Sequence, residues 1–382
     1  MEKNTNAMEK ASCAMEDAAP MGEGISRRSF LGLGALGAAG LAALGLAGCA
    51  PQANNAAQVG SADVAAEAPT AEELPAADTE ESCDVVVVGL GAAGVPAARA
   101  AAEAGAKVVC LESSSHLNSV ASDMAIFGGQ TQAQWGRGDG FLDKKMVVNM
   151  HMEECSHHVS QSVISRYYDE SGAALDWFVG ASKNLYMAPE SYAEIPTDAQ
   201  ANYMFPYMYP VPETYDYTKE DLPCYPTSVG FSSLATVMAD NLQAAVDAGA
   251  EVRYSTKGVE LILNDEGAVA GIYAQAAGSD GYLKITAQSV ILATGDYLGN
   301  EDMMKFYAPE CVENGINILS IDLDDEGNYT NVGEGHKMGA WAGAAIEQWH
   351  APMIHHMGGG ADLSGVGVMG NAGFLNLDLN GK

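Results

Sequence analysis

No two of the seven cysteines (Cys13, Cys49, Cys83, Cys110, Cys155, Cys224 and Cys311) stand at CxxC or CxxCH spacing. The chain therefore encodes no recognisable iron–sulfur or attached-haem motif, and no residue is assigned to a metal. Cations are also scarce, with 18 Lys and Arg against 50 Asp and Glu and a formal net charge of −32. That field repels phosphate backbones and anionic lipid, which argues against nucleic acid as a partner. It would favour a basic partner protein, or it is simply a solvated surface that keeps the protein dissolved. Apolar residues are not lacking: at 48% of 382 residues they suffice for a sizeable core. Cys110 sits in an apolar strand pattern where a buried thiol is expected, and none of the cysteines is given a catalytic role.

The first 49 residues read as an address. Ser26-Arg27-Arg28-Ser29-Phe30-Leu31-Gly32 has the twin-arginine export pattern, and a Gly/Ala-rich apolar run leads from it to Cys49. The run is at the edge of what spans a bilayer, so a cleaved signal is expected rather than a retained anchor. Leu46-Ala47-Gly48-Cys49 resembles a lipobox, with Cys49 as the lipidated first residue of a periplasmic, membrane-tethered body. Twin-arginine export carries folded proteins, which suits one that loads a cofactor before it leaves the cytoplasm. Residues 50–81 hold hardly any large apolar side chain and are expected to be a disordered linker.

The next stretch carries chemistry. Asp84–Val88 is an apolar strand, Gly89-Leu90-Gly91-Ala92-Ala93-Gly94 follows directly, a helix (VPAARAAAEAG) opens from it, and a second strand, Lys107–Leu111, ends on Glu112. In a dinucleotide site Gly89 makes the tight turn, Gly91 lets the backbone approach a pyrophosphate, and Gly94 lets helix and strand pack closely. The helix N-terminus offers N–H groups and a positive dipole end to the phosphates. Glu112 lies where a carboxylate accepts the adenosine ribose hydroxyls. Strand, glycines, helix, strand and acid in this order form a specific signal, whereas GxGxxG alone is weak. Ser122–Gly129 then follows the second strand where an NAD domain would continue with a helical crossover. Helical patterns follow (KKMVVNMHMEEC, VISRYYDESGAALDWF, SLATVMADNLQAAVDAGA), then a strand at Glu251–Tyr254, a β-rich stretch with a hairpin turn at NDEG, a further strand pattern YLKITAQ, and a strand at Ser289–Gly295.

The glycine motif, Gly128-Gly129, the strand–hairpin unit and the closing ILATG together resemble the fumarate reductase and succinate dehydrogenase flavoproteins, a family that includes L-aspartate oxidase, urocanate reductase and 3-ketosteroid dehydrogenases. The likeness covers residues 82–382. It implies an α/β, Rossmann-like two-dinucleotide-binding-type FAD domain with an inserted β-rich unit at 82–350, and the start of a substrate-capping domain at 351–382. It also implies that Ala293-Thr294-Gly295 and Glu334, within Gly333-Glu334-Gly335, contact FAD, with Ala93, Gly128, Gly129 and Gly258 in the same set. Asp296 stands where the family's ATGG motif has its last glycine. Ser122 occupies the place, six residues before Gly128, of the His to which some members attach FAD, so the cofactor is expected to be non-covalent; His116 lies too far upstream to replace it.

For substrate, the resemblance points to His355, twelve residues after Gly343, with His350 and His356 as competitors. A His there would hydrogen-bond a substrate carboxylate or carbonyl, although the three could equally line a loop. The proton-relaying Glu and Arg of fumarate reductases, which precede the segment aligned with Gly370-Asn371, are replaced by Val366 and Met369, which disfavours fumarate itself. The chain stops at Asn380-Gly381-Lys382, inside a turn that the family continues into its capping domain, and so reads as truncated. Tyr203, Tyr207, Tyr209, Tyr215 and Tyr217 could line an aromatic-substrate pocket or pack as a loop. The expectation is an FAD-dependent oxidoreductase of anaerobic respiration that reduces the activated C=C bond of an unsaturated acceptor. Its electrons would come from a separate cytochrome or quinol-linked donor. The alternatives are a ketosteroid-type dehydrogenase and a truncated, non-catalytic FAD-binding protein.

Overall fold

The computed structural model describes residues 76–117, 123–188, 202–206, 227–313 and 327–346. Strand β1 (Thr79–Val88) runs into the glycine turn, α1 (Gly94–Glu103) opens from that turn, and β2 (Val108–Leu111) returns beside β1. Next come β3 (Asp123–Ala125), α2 (Gly129–Ala133), α3 (Lys144–Glu154), α4 (Gln161–Val179), β4 (Leu185–Met187), β5 (Asn202–Pro206), β6 (Ser228–Phe231) and α5 (Leu234–Asp247). The chain then forms β7 (Glu251–Arg253), the hairpin of β8 (Thr256–Leu263) and β9 (Val269–Ala276), and β10 (Leu283–Leu292). It closes with α6 (Glu301–Tyr307), α7 (Pro309–Glu313) and α8 (Glu334–Trp341).

The main sheet has the order β7-β2-β1-β10-β9-β8, parallel from β7 to β10 and antiparallel from β10 to β8. Its central strands are apolar without alternation because both faces are covered. Val87, Val108 and Cys110 pack on one side with Val95 and Ala98 of α1 and Val237 and Met238 of α5. Val86, Val88, Val109 and Leu111 pack on the other with Leu261, Ile272, Ile285 and Met338. A second sheet, β3-β6-β5-β4, contributes Met204, Val229 and Phe231 to the first of these cores. Tyr203 belongs to β5, its ring 6.1 Å from that of Phe205.

Two boundaries differ from the sequence reading. β1 begins at Thr79, inside the tract expected to be linker, because its acidic residues find partners: Glu81 accepts from Arg253, at 2.7 Å for one of the two guanidinium nitrogens, and Lys284 lies 3.4 Å from Glu80. The YLKITAQ and SVIL patterns form the single strand β10, in unbroken register with β1 from Thr79 opposite Leu283 to Val88 opposite Leu292. No Gly or Pro interrupts that stretch. The predicted turn is present, with Asn264 Oδ1 accepting from the Glu266 and Ala268 amides and Gly267 at φ +78.

Arg99 anchors three helices. Its buried guanidinium donates to Trp177 O at 3.0 Å and Asn241 Oδ1 at 2.8 Å, bonds Glu103 at 2.7 Å, and stacks 4.0 Å over the Trp177 ring. Asn241 in turn donates to Phe178 O and Val237 O. Burial pushes the Glu103 carboxyl up, but the hydrogen bonds from Arg99 and Trp177 outweigh it and hold the group below its usual range. Arg99→Ala should cost about 2–4 kcal/mol, read from urea unfolding, since it leaves buried acceptors unpaired.

Cys110 is fully buried, and burial raises its thiol from 9.0 to about 12. A raised folded-state value means that the native protein holds this proton more tightly than the unfolded chain. Its contribution is therefore complete below pH 9.0 and declines between there and about pH 12. Unfolding followed from neutral to alkaline pH should show that decline, and Cys110→Ala should reduce it.

Candidate functional site

A cavity of about 600 Å³ opens at the C-terminal ends of β1, β2 and β10, where parallel α/β sheets place their ligands. The turn contributes Gly89, Gly91 and Ala93, the end of β2 contributes Glu112, the start of β8 contributes Gly258, and the end of β10 leads into Ala293, Thr294 and Gly295. Glu334 closes the set from the N-terminus of α8. Residues spread over some 250 positions of sequence thus meet around one space.

Gly89 has φ +91, and a Cβ there would overlap the carbonyl of Ala293. A Cβ on Gly94 would overlap Gly89 O, so this glycine lets α1 cross the turn rather than line the cavity. Gly91 is different: a Cβ would meet nothing within 4 Å, because the residue faces open space in the cavity wall. The intrahelical ladder starts with Val95 N donating to Gly91 O at 3.1 Å, and the earlier amides of the turn precede it.

Glu112 is buried, and its two carboxylate oxygens are held separately. Oε2 accepts from Leu90 N at 2.8 Å and Oε1 from Ser114 N at 2.9 Å. The carboxylate thus ties the glycine turn to the end of β2 while still lining the cavity, and each oxygen keeps further acceptor capacity.

On the opposite wall, Gly333 at φ +77 starts α8, and Gly335 packs so close to Thr294 that a Cβ would overlap its hydroxyl. Asp296 Oδ1 accepts from Leu298 N at 2.8 Å and from the buried Asn331 side chain at 2.7 Å, and Asp296 O accepts from Gly333 N at 3.1 Å. The departure from ATGG thus supports the turn after β10. Lys257 and Glu334 form an ion pair between β8 and α8.

Gly128 and Gly129 are not among the described residues that line this cavity. A Cβ on Gly129 would come within 2.7 Å of Gly172 O in α4, and one on Gly172 within 2.6 Å of the Gly128 carbonyl carbon. The pair forms a backbone crossing, fastened by Asp176, which accepts from Gln130 N and Thr131 N at 2.7 Å each. Ser122, His350, His355, His356, Val366, Met369, Cys224, the four later tyrosines, the twin-arginine segment and Cys49 lie outside the described residues. Among the described residues no helix is long and apolar enough to cross a membrane, and no three His, Cys, Asp or Glu side chains could hold a metal.

Sequence reasoning did not single out Ser114, Thr256, Lys257, Asn331 or His336 as cavity residues. Asn331 and His336 bracket Gly333-Glu334-Gly335, and Lys257 adjoins Gly258, so proximity to the glycines was the available signal.

Open Gly91, a carboxylate fixed at the end of β2, and glycines at both close approaches fit a dinucleotide. The chain belongs to the FAD_binding_2 family (FAD binding domain), which it matches over residues 84–370. FAD is accordingly its cofactor. It is 27% identical over 236 residues to the vinyl phenol reductase of Lactiplantibacillus plantarum, a match covering 59% of this chain and 40% of that protein. It is 25% identical over 278 residues to the probable fumarate reductase Ifc3 of Shewanella frigidimarina, covering 71% and 40%. The chain thus spans about 40% of the length of these curated relatives. A solved 3-ketosteroid-Δ4-(5α)-dehydrogenase from Rhodococcus jostii, in complex with 4-androstene-3,17-dione, shares the fold at TM-score 0.52 and 23% identity, over 72% of this chain and 56% of that one.

Proposed function

We propose that this chain forms the FAD-holding part of an oxidoreductase that reduces the activated C=C bond of an unsaturated organic acceptor, with electrons drawn from a separate redox protein. The observation that carries the proposal is the single cavity in which the glycine turn, Glu112, the Ala293-Thr294-Gly295 turn and Glu334 converge. The reductase direction is supported by the two curated relatives, both named as reductases. Hydride delivery to the double bond is the chemistry that FAD supplies when bound. The protein's own share begins with binding and orientation: open Gly91 admits the dinucleotide backbone, and Glu112, fixed by two amides, presents acceptors to ribose hydroxyls. His355 is proposed to polarise the acceptor's carboxylate or carbonyl, with His350 and His356 beside it in sequence. Ser122 in place of a His supports non-covalent cofactor. Twin-arginine export and a lipid anchor at Cys49 complete the proposal.

The test is anaerobic. Purified, FAD-loaded protein is reduced chemically and mixed separately with fumarate, a vinyl phenol, a cinnamate and an enone. Reoxidation by one or more of these, and not by the saturated analogue, is expected. Failure of every acceptor, together with reduction of the oxidised flavin by a saturated 3-ketosteroid, would replace this reading with a dehydrogenase.

A further inference from the structure

Two stretches of backbone meet at one wall of the cavity: the turn leaving β10, with Thr294 and Gly295, and the run into α8, with Thr330 and Asn331. Residues 330–333 belong to no helix and to no strand of either sheet, so bonds outside the regular ladders must hold them. Those bonds go to residues 296–300. Asn331 Nδ2 donates to Asp296 Oδ1 at 2.7 Å and Gly333 N to Asp296 O at 3.1 Å, while Gly299 N donates to Asn331 O at 3.0 Å and Asn300 Nδ2 to Val332 O at 3.1 Å. The packing is equally close: a Cβ on Gly299 would overlap the Tyr329 side chain, and one on Gly333 the sulfur of Met303. One of the four bonds depends on a side chain that the resemblance does not lead one to expect. A glycine in place of Asp296 would leave the backbone bond to Gly333 intact, but it would remove the acceptor from the amide of Asn331, which is only 3% exposed.

We propose that Asp296 is a positioning residue for the cofactor: through its hydrogen bond to Asn331 it sets the α8 side of the cavity against the turn leaving β10, and so sets how well the site fits FAD. The inference deepens the functional reading above and rests on it only in so far as FAD occupies this cavity. Asp296 is itself exposed and is not among the described lining residues, so it acts through Asn331, which is. Its working part is the oxygen rather than the charge. Oδ1 is fixed by two donors, Asn331 Nδ2 and the Leu298 amide at 2.8 Å, the latter closing a turn of the Asx kind. The negative charge stands in solvent, where water and salt screen it.

The experiment titrates FAD into flavin-stripped full-length protein, following flavin fluorescence, with far-ultraviolet circular dichroism to check that each variant is folded. Asp296→Asn keeps an oxygen for both donors and drops the charge, so it should bind FAD within about threefold of the unaltered chain. Asp296→Ala removes the acceptor and should bind about tenfold more weakly. Asp296→Gly, the family's own residue at this place, should show the same loss and serves as the test where Asp296→Ala does not fold. Because Asp296→Ala and Asn331→Ala break the same bond, the double variant should bind within about threefold of the weaker single one. Unchanged affinity in folded Asp296→Ala or Asp296→Gly would overturn the inference while leaving FAD in the cavity. Asp296→Asn as weak as Asp296→Ala would assign the effect to charge and overturn it too, as would losses that multiply in full in the double variant. If the unaltered protein binds no FAD at all, the functional reading falls first and this inference with it.

Discussion

Replacing Gly91 with leucine should yield a folded protein that has lost FAD. A Cβ there would have nothing within 4 Å, and the residue lines the cavity, so the side chain has open space to enter. That same space is where the dinucleotide backbone must approach, and a leucine there should lower FAD affinity at least about 100-fold, equivalent to ~3 kcal/mol. Gly94→Ala offers the contrast. Its single added carbon overlaps Gly89 O, so α1 must back away from the turn. The expected result is a loss of about 3 kcal/mol or more in urea unfolding, with flavin lost as a consequence. Measured side by side, the two variants separate a residue that faces the ligand from one that shapes the turn. If Gly91→Leu were to retain FAD at its original affinity, the cavity would not be the cofactor site.

Glu112→Ala should have the second-largest effect, because the carboxylate serves two purposes at once. Its removal leaves the amides of Leu90 and Ser114 without their acceptor in a buried place, at a cost of about 2–4 kcal/mol in stability. It also removes the proposed ribose acceptor, so affinity for FAD should fall by at least about tenfold. Glu112→Gln distinguishes the purposes. The amide oxygen can still accept from one backbone N–H, but the charge and the second acceptor oxygen are gone. About half of the lost stability should therefore return in that variant while the affinity remains low. Parallel recovery of both would mean that Glu112 acts on the cofactor only by holding the turn.

Local patterns made much of this molecule legible. An unbroken valine run followed by glycines, a helix and a second strand ending on an acid specifies β1, α1 and β2 almost by itself, because Gly89 and Gly94 answer steric demands that the structure displays and Gly91 faces the cavity. The Asn264–Gly267 turn was equally plain, since Asn and Gly favour the required backbone. Long-range compensation was harder to read. Glu80 and Glu81 look like linker residues until Arg253 and Lys284, some 170 to 200 positions later, are brought beside them. Lys257 and Glu334 are unremarkable letters whose pairing depends on the placement of α8 against β8. Gly128-Gly129 carries a demand that no local pattern announces: the pair crosses Gly172 of α4, some 43 positions later, at backbone contact.

The most direct test of the central claim is to purify the full chain, record its visible spectrum, precipitate the protein with acid and identify what remains in solution by chromatography against FAD, FMN and riboflavin. The expected result is a yellow protein that releases FAD, stoichiometric with chain, and leaves a colourless pellet. Release of a different flavin, a pellet that stays yellow, or a protein that binds no flavin even when FAD is supplied would contradict it.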